Sequence, residues 1–354
     1  MTSRTPIQLS ITDVAFGGKG VARHEGKVYF VPFTIPGEVV SVRVVRQKKN
    51  FAETELLSVE EPSADRVAPR CPYFGRCGGC SYQHISYERQ LQLKAAQVEQ
   101  TLRRVGRLDQ VPMRTAIGAP ESYEYRNRIR VHRAGGVTGF FAHDAYSLVD
   151  VERCVIAKPE VNRALRRLRG APVRDGDYSL RAPGGSGPFF EQTNEAVARE
   201  MVALVERTVL RGQKLLVDAY CGSGLFARHL APLFEKAIGI EANSFAIENA
   251  RQAASARENY IHGEVETHLG EILAAHDPIR STIILDPPAV GISSRVSDLL
   301  IASRPAEIIY VSCNPGTLAR DLAALCHTFR LEAVTPLDMF PQTAEIEVVA
   351  SLRA

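Results

Sequence analysis

The chain has 354 residues, 45% of them hydrophobic and 23% charged, the balance of a folded protein of two or three domains. A net charge of +3 does not by itself mark a nucleic-acid binder, so any attraction for a polyanion has to come from local clusters. No apolar run reaches the roughly 18–20 residues that span a membrane, and MTSRTPIQLS lacks the apolar core of a signal peptide, so a cytoplasmic protein without a membrane partner is expected. In that compartment seven cysteines point to metal, catalysis or burial rather than to disulfides.

Residues 7–60 alternate short β-patterned runs with Gly and Pro, which predicts a small barrel of the oligonucleotide-binding kind or a β-domain used only for packing. Arg43, Arg46, Lys48 and Lys49 cluster near its end. A separate knot, CPYFGRCGGC, occupies residues 71–80, and a polar amphipathic helix is predicted from Tyr87 to Arg104 on the apolar positions Leu91, Leu93, Ala95, Val98 and Leu102. Residues 111–181 read as strands and turns with one helix near Val161–Leu168. They hold two further basic clusters, Arg126, Arg128, Arg130 and Arg133, then Arg163, Arg166, Arg167 and Arg169. Phe190 to Asn194 lead into a helix, with Thr193 or Asn194 as its cap. From there KLLVDAYCGSGLFARHLA, AIGIEANSFAIENARQAA, TIILDPPAVGI and EIIYVSCNPGTLARDLAAL alternate strand with helix, and EIEVVASL closes the chain. That alternation predicts a parallel, doubly wound α/β sheet, and the divisions expected are 1–62, 63–188 and 189–354.

The turn DAYCGSG at 218–224 follows an apolar strand and opens a helix, where glycines let backbone amides approach a ligand. Glu241 ends the next strand, about twenty residues on, where an acidic side chain can hold ribose hydroxyls. The pair alone fits a dinucleotide site, but the full G-x-G-x-x-G is missing and DPPAVG closes a later strand, like the fourth motif of S-adenosylmethionine-dependent methyltransferases. Cys71, Cys77, Cys80 and Cys154 suit a structural zinc or an iron–sulfur cluster, and their three-plus-one spacing leans toward the cluster. Cys313, where IIYVS breaks into CNPG, is either a buried thiol at a strand end or a nucleophile.

CPYFGRCGGCSYQH with Tyr87 and Lys94, FEQTN, DAYCGSG, DPPAVG, SCNPGTLARD and FPQTAEIE occur in that order. Together they resemble the RNA 5-methyluridine (uracil-C5) methyltransferases, and within them the 23S ribosomal RNA branch with an N-terminal TRAM domain and a four-iron–four-sulfur (4Fe–4S) cluster. The resemblance runs from about Ile7 to Leu352. It implies a Rossmann-like methyltransferase domain behind an OB-like TRAM barrel and a small α+β central domain. The cluster would sit in that central domain, on Cys71, Cys77, Cys80 and Cys154.

The roles it implies are checkable chemistry. Cys313 matches the family's nucleophile and Glu347 its general base. Gln192, Tyr220, Glu241, Glu264 and Asp286 match positions that hold S-adenosyl-L-methionine. Cys221 and Cys326 read as packing residues. Two positions depart from the family pattern: Ala289 stands where Arg usually follows DPP, and Glu345 where His often precedes the base. A shortened middle region implies a trimmed RNA-contacting domain. The expected partner is RNA, which the barrel and the arginine clusters would hold and from which the target base would be flipped; Phe74 and Tyr82 are stacking candidates. A monomer is expected. The alternatives are a transfer-RNA uridine as target, or a non-catalytic RNA-binding protein that retains the fold.

Overall fold

A computed structural model describes residues 5–143, 145–183 and 192–354. The expected boundary at 188/189 and Phe190 of the FEQTN string lie outside those residues. The chain forms two compact units, one of Met1–Gln97, Ala119–Gly185 and Phe340–Glu345, the other of Val98–Gly118, Ser186–Met339 and Ile346–Ala354.

In the first unit β1 (Ile7–Ser10), β2 (Asp13–Val14), β3 (Gly20–His24), β4 (Lys27–Val31), β5 (Val39–Gln47) and β6 (Phe51–Glu61) form a sheet in the order β1-β5-β6-β4-β3-β2. Alternation sets its inner face: Val40, Val42 and Val44 of β5 are buried with Leu9, Val31 and Ala52, while Arg43 between them faces out. Helix α1 (Tyr87–Arg104) spans the predicted residues, and its Leu93 packs with Val14, Ile35, Tyr82 and Ile85. A second, four-stranded antiparallel sheet holds β7 (Arg128–Ala134), β8 (Val137–Phe141), β9 (Leu148–Asp150) and β10 (Gly176–Arg181), ordered β10-β7-β8-β9. Helix α2 (Pro159–Gly170) covers one face with Val161, Leu165 and Leu168 against Ile129, Val131, Tyr178 and Leu180.

The second unit opens with α3 (Glu195–Thr208), whose cap is Asn194: its side chain accepts from the Val197 amide, 3.3 Å. Strand–helix pairs follow: β11 (Leu215–Ala219), α4 (Leu225–Leu230), β12 (Lys236–Glu241), α5 (Ser244–Gln252), β13 (Glu258–His262), α6 (Val265–Ala275), β14 (Ser281–Leu285), α7 (Ser294–Ser303), β15 (Glu307–Ser312) and α8 (Pro315–Leu325). These strands are parallel and, apart from the edge strand β13, largely buried, and their Val217, Ile240, Ile283 and Ile308 share one core with Leu269, Leu300, Leu318 and Leu322 of the helices.

The expected all-parallel sheet is not what closes the chain. β16 (Arg330–Leu337) and β17 (Glu347–Arg353) form an antiparallel hairpin, and β17 inserts between β15 and β16, antiparallel to both, giving the order β13-β12-β11-β14-β15-β17-β16. The link between β16 and β17 is too short for the crossover helix that a parallel pair requires, so the last strand must fold back. Pro336 argues against a central strand over 330–337, and β16 is the edge, where a missing amide donor is tolerated. Among the described residues no helix is long and apolar enough to cross a membrane.

Candidate active site

The chain leaves β11 at Tyr220 with a positive φ of 65°, followed by Gly222 (54°) and Gly224 (84°). Gly224 is required for space as well as conformation, because a Cβ there would run into the Tyr260 ring. This turn lies against β12: the Gly222 amide donates to the Glu241 carboxylate (3.0 Å), and the Asn243 amide donates to its other oxygen (2.7 Å). Glu241 is thereby fixed at the strand end with lone pairs left to accept from a ligand.

The next parallel strand over, β14, ends at Asp286. Burial, and secondly the negative charge of Glu241, push its carboxyl up to about 7, although part of the side chain remains open at the wall of a cavity. Asp218 in β11 is fully buried and accepts from the Ala227 amide at 2.8 Å. Burial, then Asp286 and Glu241, carry it up to about 8. Only its place in DAYCGSG pointed to Asp218, and no role was expected of it.

Cys313 is exposed immediately after β15. Ser312 Oγ accepts from the Asn314 amide (3.1 Å), and Asn314 caps α8 by accepting from the Gly316 amide (2.9 Å), so the thiol stands in a short fixed link between strand and helix. The same helix end clamps the loop after Asp286. Asn314 Nδ2 and Thr317 Oγ1 both donate to the Ala289 carbonyl (3.1 and 3.0 Å), and Arg320 donates to the Val290 and Ile292 carbonyls (2.9 and 3.2 Å). Asp321, buried, accepts from the Ile292 amide (3.0 Å) and from the Tyr310 hydroxyl (2.6 Å). The strings SCNPGTLARD and DPPAVG are therefore two halves of one structure. Sequence reading assigned Asn314, Thr317, Arg320 and Asp321 no part in it. At the departure site, Ala289 supplies its carbonyl to the clamp.

Glu347 opens β17. Ser312, the last residue of β15, pairs with Val348, so Cys313 and Glu347 each adjoin the last paired position of the two strands. Glu347 is buried, whereas Glu345, two residues earlier, is exposed. All seven residues expected to act on cofactor or substrate, Gln192, Tyr220, Glu241, Glu264, Asp286, Cys313 and Glu347, line a single cavity of about 1130 Å³.

The four other expected residues, Cys71, Cys77, Cys80 and Cys154, line a separate cavity of about 200 Å³ in the first unit, and all four are free thiols. Burial pushes Cys80 up to about 12 and Cys154 to about 11. Gln83, which no motif reading singled out, lines this cavity; it is buried and accepts from the Cys71 amide (3.1 Å), and its Nε2 has no hydrogen-bond partner. Among the described residues no three His, Cys, Asp or Glu side chains converge as a site for a metal ion. Cys326 is half-buried in an apolar cluster; Cys221 is buried against Ala227, Ile247 and Tyr260 but also lines the larger cavity, with Asp218 and Glu241 nearby.

Neither expected stacking residue is open for that task. Tyr82 is fully buried and receives a hydrogen bond from Gln97 at 3.0 Å, and Phe74 is half-buried with its ring 5.1 Å from that of Phe33. Both fill apolar contacts that these turns need.

Comparison with known proteins agrees with this geometry. The family model of tRNA (Uracil-5-)-methyltransferase matches residues 270–354, and that of the TRAM domain matches 4–57. An uncharacterized RNA methyltransferase of Protochlamydia amoebophila is 30% identical, covering 100% of this chain and 99% of that protein. Another from Bdellovibrio bacteriovorus is 32% identical, covering 98% and 95%. The crystal structure of Pyrococcus abyssi tRNA (uracil-54, C5)-methyltransferase with S-adenosyl-L-homocysteine shares the fold, with a TM-score of 0.74 at 24% identity over 98% of this chain and 100% of that one. The chain belongs to the S-adenosylmethionine-dependent RNA uracil-C5 methyltransferases and carries a TRAM domain.

Proposed function

We propose that the protein methylates C5 of a uridine in 23S ribosomal RNA through a covalent adduct, with Cys313 as nucleophile and Glu347 as base. The observation that carries this reading is the convergence of Cys313, Glu347, the glycine turn and Asp286 on one cavity. Bound S-adenosylmethionine supplies an electrophilic methyl group, and Gln192, Tyr220, Glu241, Glu264 and Asp286 are the residues to hold it. The acidic set Glu241 and Asp286 suits ribose hydroxyls and a cationic donor.

Uracil C5 is a weak nucleophile until a thiolate adds at C6. The Cys313 thiolate forms that carbon–sulfur bond, and the C5=C6 electron pair moves toward the C4 carbonyl, making C5 enolate-like. C5 takes the methyl as its bond to the donor sulfur breaks, leaving S-adenosylhomocysteine. Glu347 then accepts the C5 proton; the freed electron pair restores C5=C6 and expels the thiolate. Because C6 is hidden in a stacked base, the uridine has to be extruded first.

The four-cysteine cavity is proposed to hold a 4Fe–4S cluster. Four cysteines line that one cavity, and four thiolates are the donor set of such a cluster; the three-plus-one spacing in the chain favours it over zinc, which is commonly held by paired Cys-x2–4-Cys knuckles. Anaerobic purification should give coloured protein with iron and sulfide; a colourless protein with stoichiometric zinc would overturn the assignment.

A transfer-RNA uridine is the second reading. It is favoured by the fold shared over nearly the whole chain with a protein that is named for uracil-54 of tRNA. Mapping 5-methyluridine in ribosomal and transfer RNA from cells with and without the gene decides between the two. Loss of the mark from 23S RNA alone supports the first reading, loss from tRNA alone the second. Cys313→Ala should abolish both methyl transfer and the adduct; retained activity would point to a different nucleophile.

A further inference from the structure

Of the three basic clusters in the sequence, two have half of their cations paired within the protein itself. Arg43 and Arg46 pair with Glu55 and Glu53, Arg163 pairs with Glu160, and Arg169 pairs with Asp150. In the third, Arg133 turns toward helix α2 and donates to the Leu168 carbonyl at 3.2 Å. Arg128 and Arg130 of that third cluster lie on the face of the four-stranded sheet that helix α2 does not cover.

Register fixes that face. His132 of β7 pairs with Asp177, Arg130 with Ser179 and Arg128 with Arg181, while His132 also pairs with Gly139 of β8. Residues opposite in an antiparallel pair share a face, and β8 alternates, so Phe141 joins His132 on the same side. Their rings lie 4.2 Å apart, and Phe141 is 41% exposed. Arg128 is exposed and has no carboxylate partner among the described residues; its charged neighbours are Arg181, Arg126 and Arg130, and partial burial together with those like charges lowers its pKa. Among the described residues Asp177 is the acid beside this group, and it is already shared between Arg130 and His132.

An exposed aromatic ring beside an exposed guanidinium without a carboxylate partner, on an open sheet, is the chemistry that holds unpaired nucleotides: bases stack on the ring and a phosphate neutralises the cation. We propose that this face, with Phe141 stacked on His132 and Arg128 beside them, is a docking platform for a single-stranded segment of the RNA substrate. The inference rests on RNA being the substrate and adds where unpaired bases of it dock.

The chain contains no tryptophan, so Phe141→Trp introduces a unique fluorophore while keeping an aromatic surface. In the full-length protein its emission should be quenched by a short oligouridylate and hardly changed by a blunt RNA duplex of equal length. Phe141→Ala should weaken oligouridylate binding about tenfold or more. Arg128→Gln should lower the slope of log affinity against log salt by about 0.7, the value for one lost phosphate contact. In methyl transfer both should raise the KM for RNA and leave kcat and the affinity for S-adenosylmethionine unchanged. Equal quenching by strand and duplex, or wild-type affinity in Phe141→Ala together with an unchanged salt slope in Arg128→Gln, would overturn the platform. Quenching needs no turnover, so a failure of the substrate reading, seen as no methyl transfer to any RNA, is told apart from a failure of this one.

Discussion

At Asp286 burial and the nearby Glu241 charge both favour the protonated acid, so its carboxylate forms only as pH climbs through about 7. S-adenosylmethionine carries a positive sulfonium, and its affinity should therefore rise across that interval. Calorimetric titration on either side of neutrality should show the rise in the wild type and its absence in Asp286→Asn. Asp218 gives a stability counterpart. Its folded pKa of about 8 stands above the unfolded carboxylate value, so its contribution to the fold is complete below that value and is lost as pH rises through about 8. Asp218→Asn should flatten the fall of thermal stability with pH, as read by melting temperatures in a pH series. For Glu347, substitution by Gln keeps the shape and removes the proton acceptor. The expected result is a methylated RNA adduct that accumulates and resists release, visible as a shifted band on a denaturing gel. These residues were legible in the sequence because motif strings carry them. What burial does to their charge was not, since it depends on which strands stand side by side.

At the level of elements, the site depends on helix α8 being tied to the loop that follows Asp286. Gly291 has a φ of 78°, and a Cβ there would land on the Asp321 carboxylate and the Arg320 guanidinium. Gly291→Ala should displace the loop and cut kcat, with secondary structure retained by circular dichroism. Asp321→Asn leaves its acceptor network unmatched in a buried position, and the expected cost is about 1–3 kcal/mol by urea unfolding. The helices themselves could be read from the chain: α1 follows an amphipathic period and α3 an Asn cap. The hairpin of β16 and β17 was harder to read. A β pattern specifies a strand but not its neighbour, and Pro336 concealed an edge strand.

On the scale of the whole molecule, two cavities divide the candidate residues: one is lined by those proposed to react or to hold the cofactor, and the other by the four thiols. If the thiols bind a cluster, Cys154→Ser should lower iron content and melting temperature together, measured by iron assay and thermal unfolding, because metal–thiolate bonds that exist only in the folded state add to its stability. The sequence by itself determined most of the elements, the TRAM-like strands and the candidates for the reacting groups, because each follows from local periodicity or from a contiguous string. Only the tertiary structure decided that Glu347 rather than Glu345 faces the cavity, that Tyr82 is buried while Phe141 is open, and that Cys313 and Glu347 line the same cavity. Those facts depend on register and on packing between distant segments, where a shift of one residue reverses the face of every side chain.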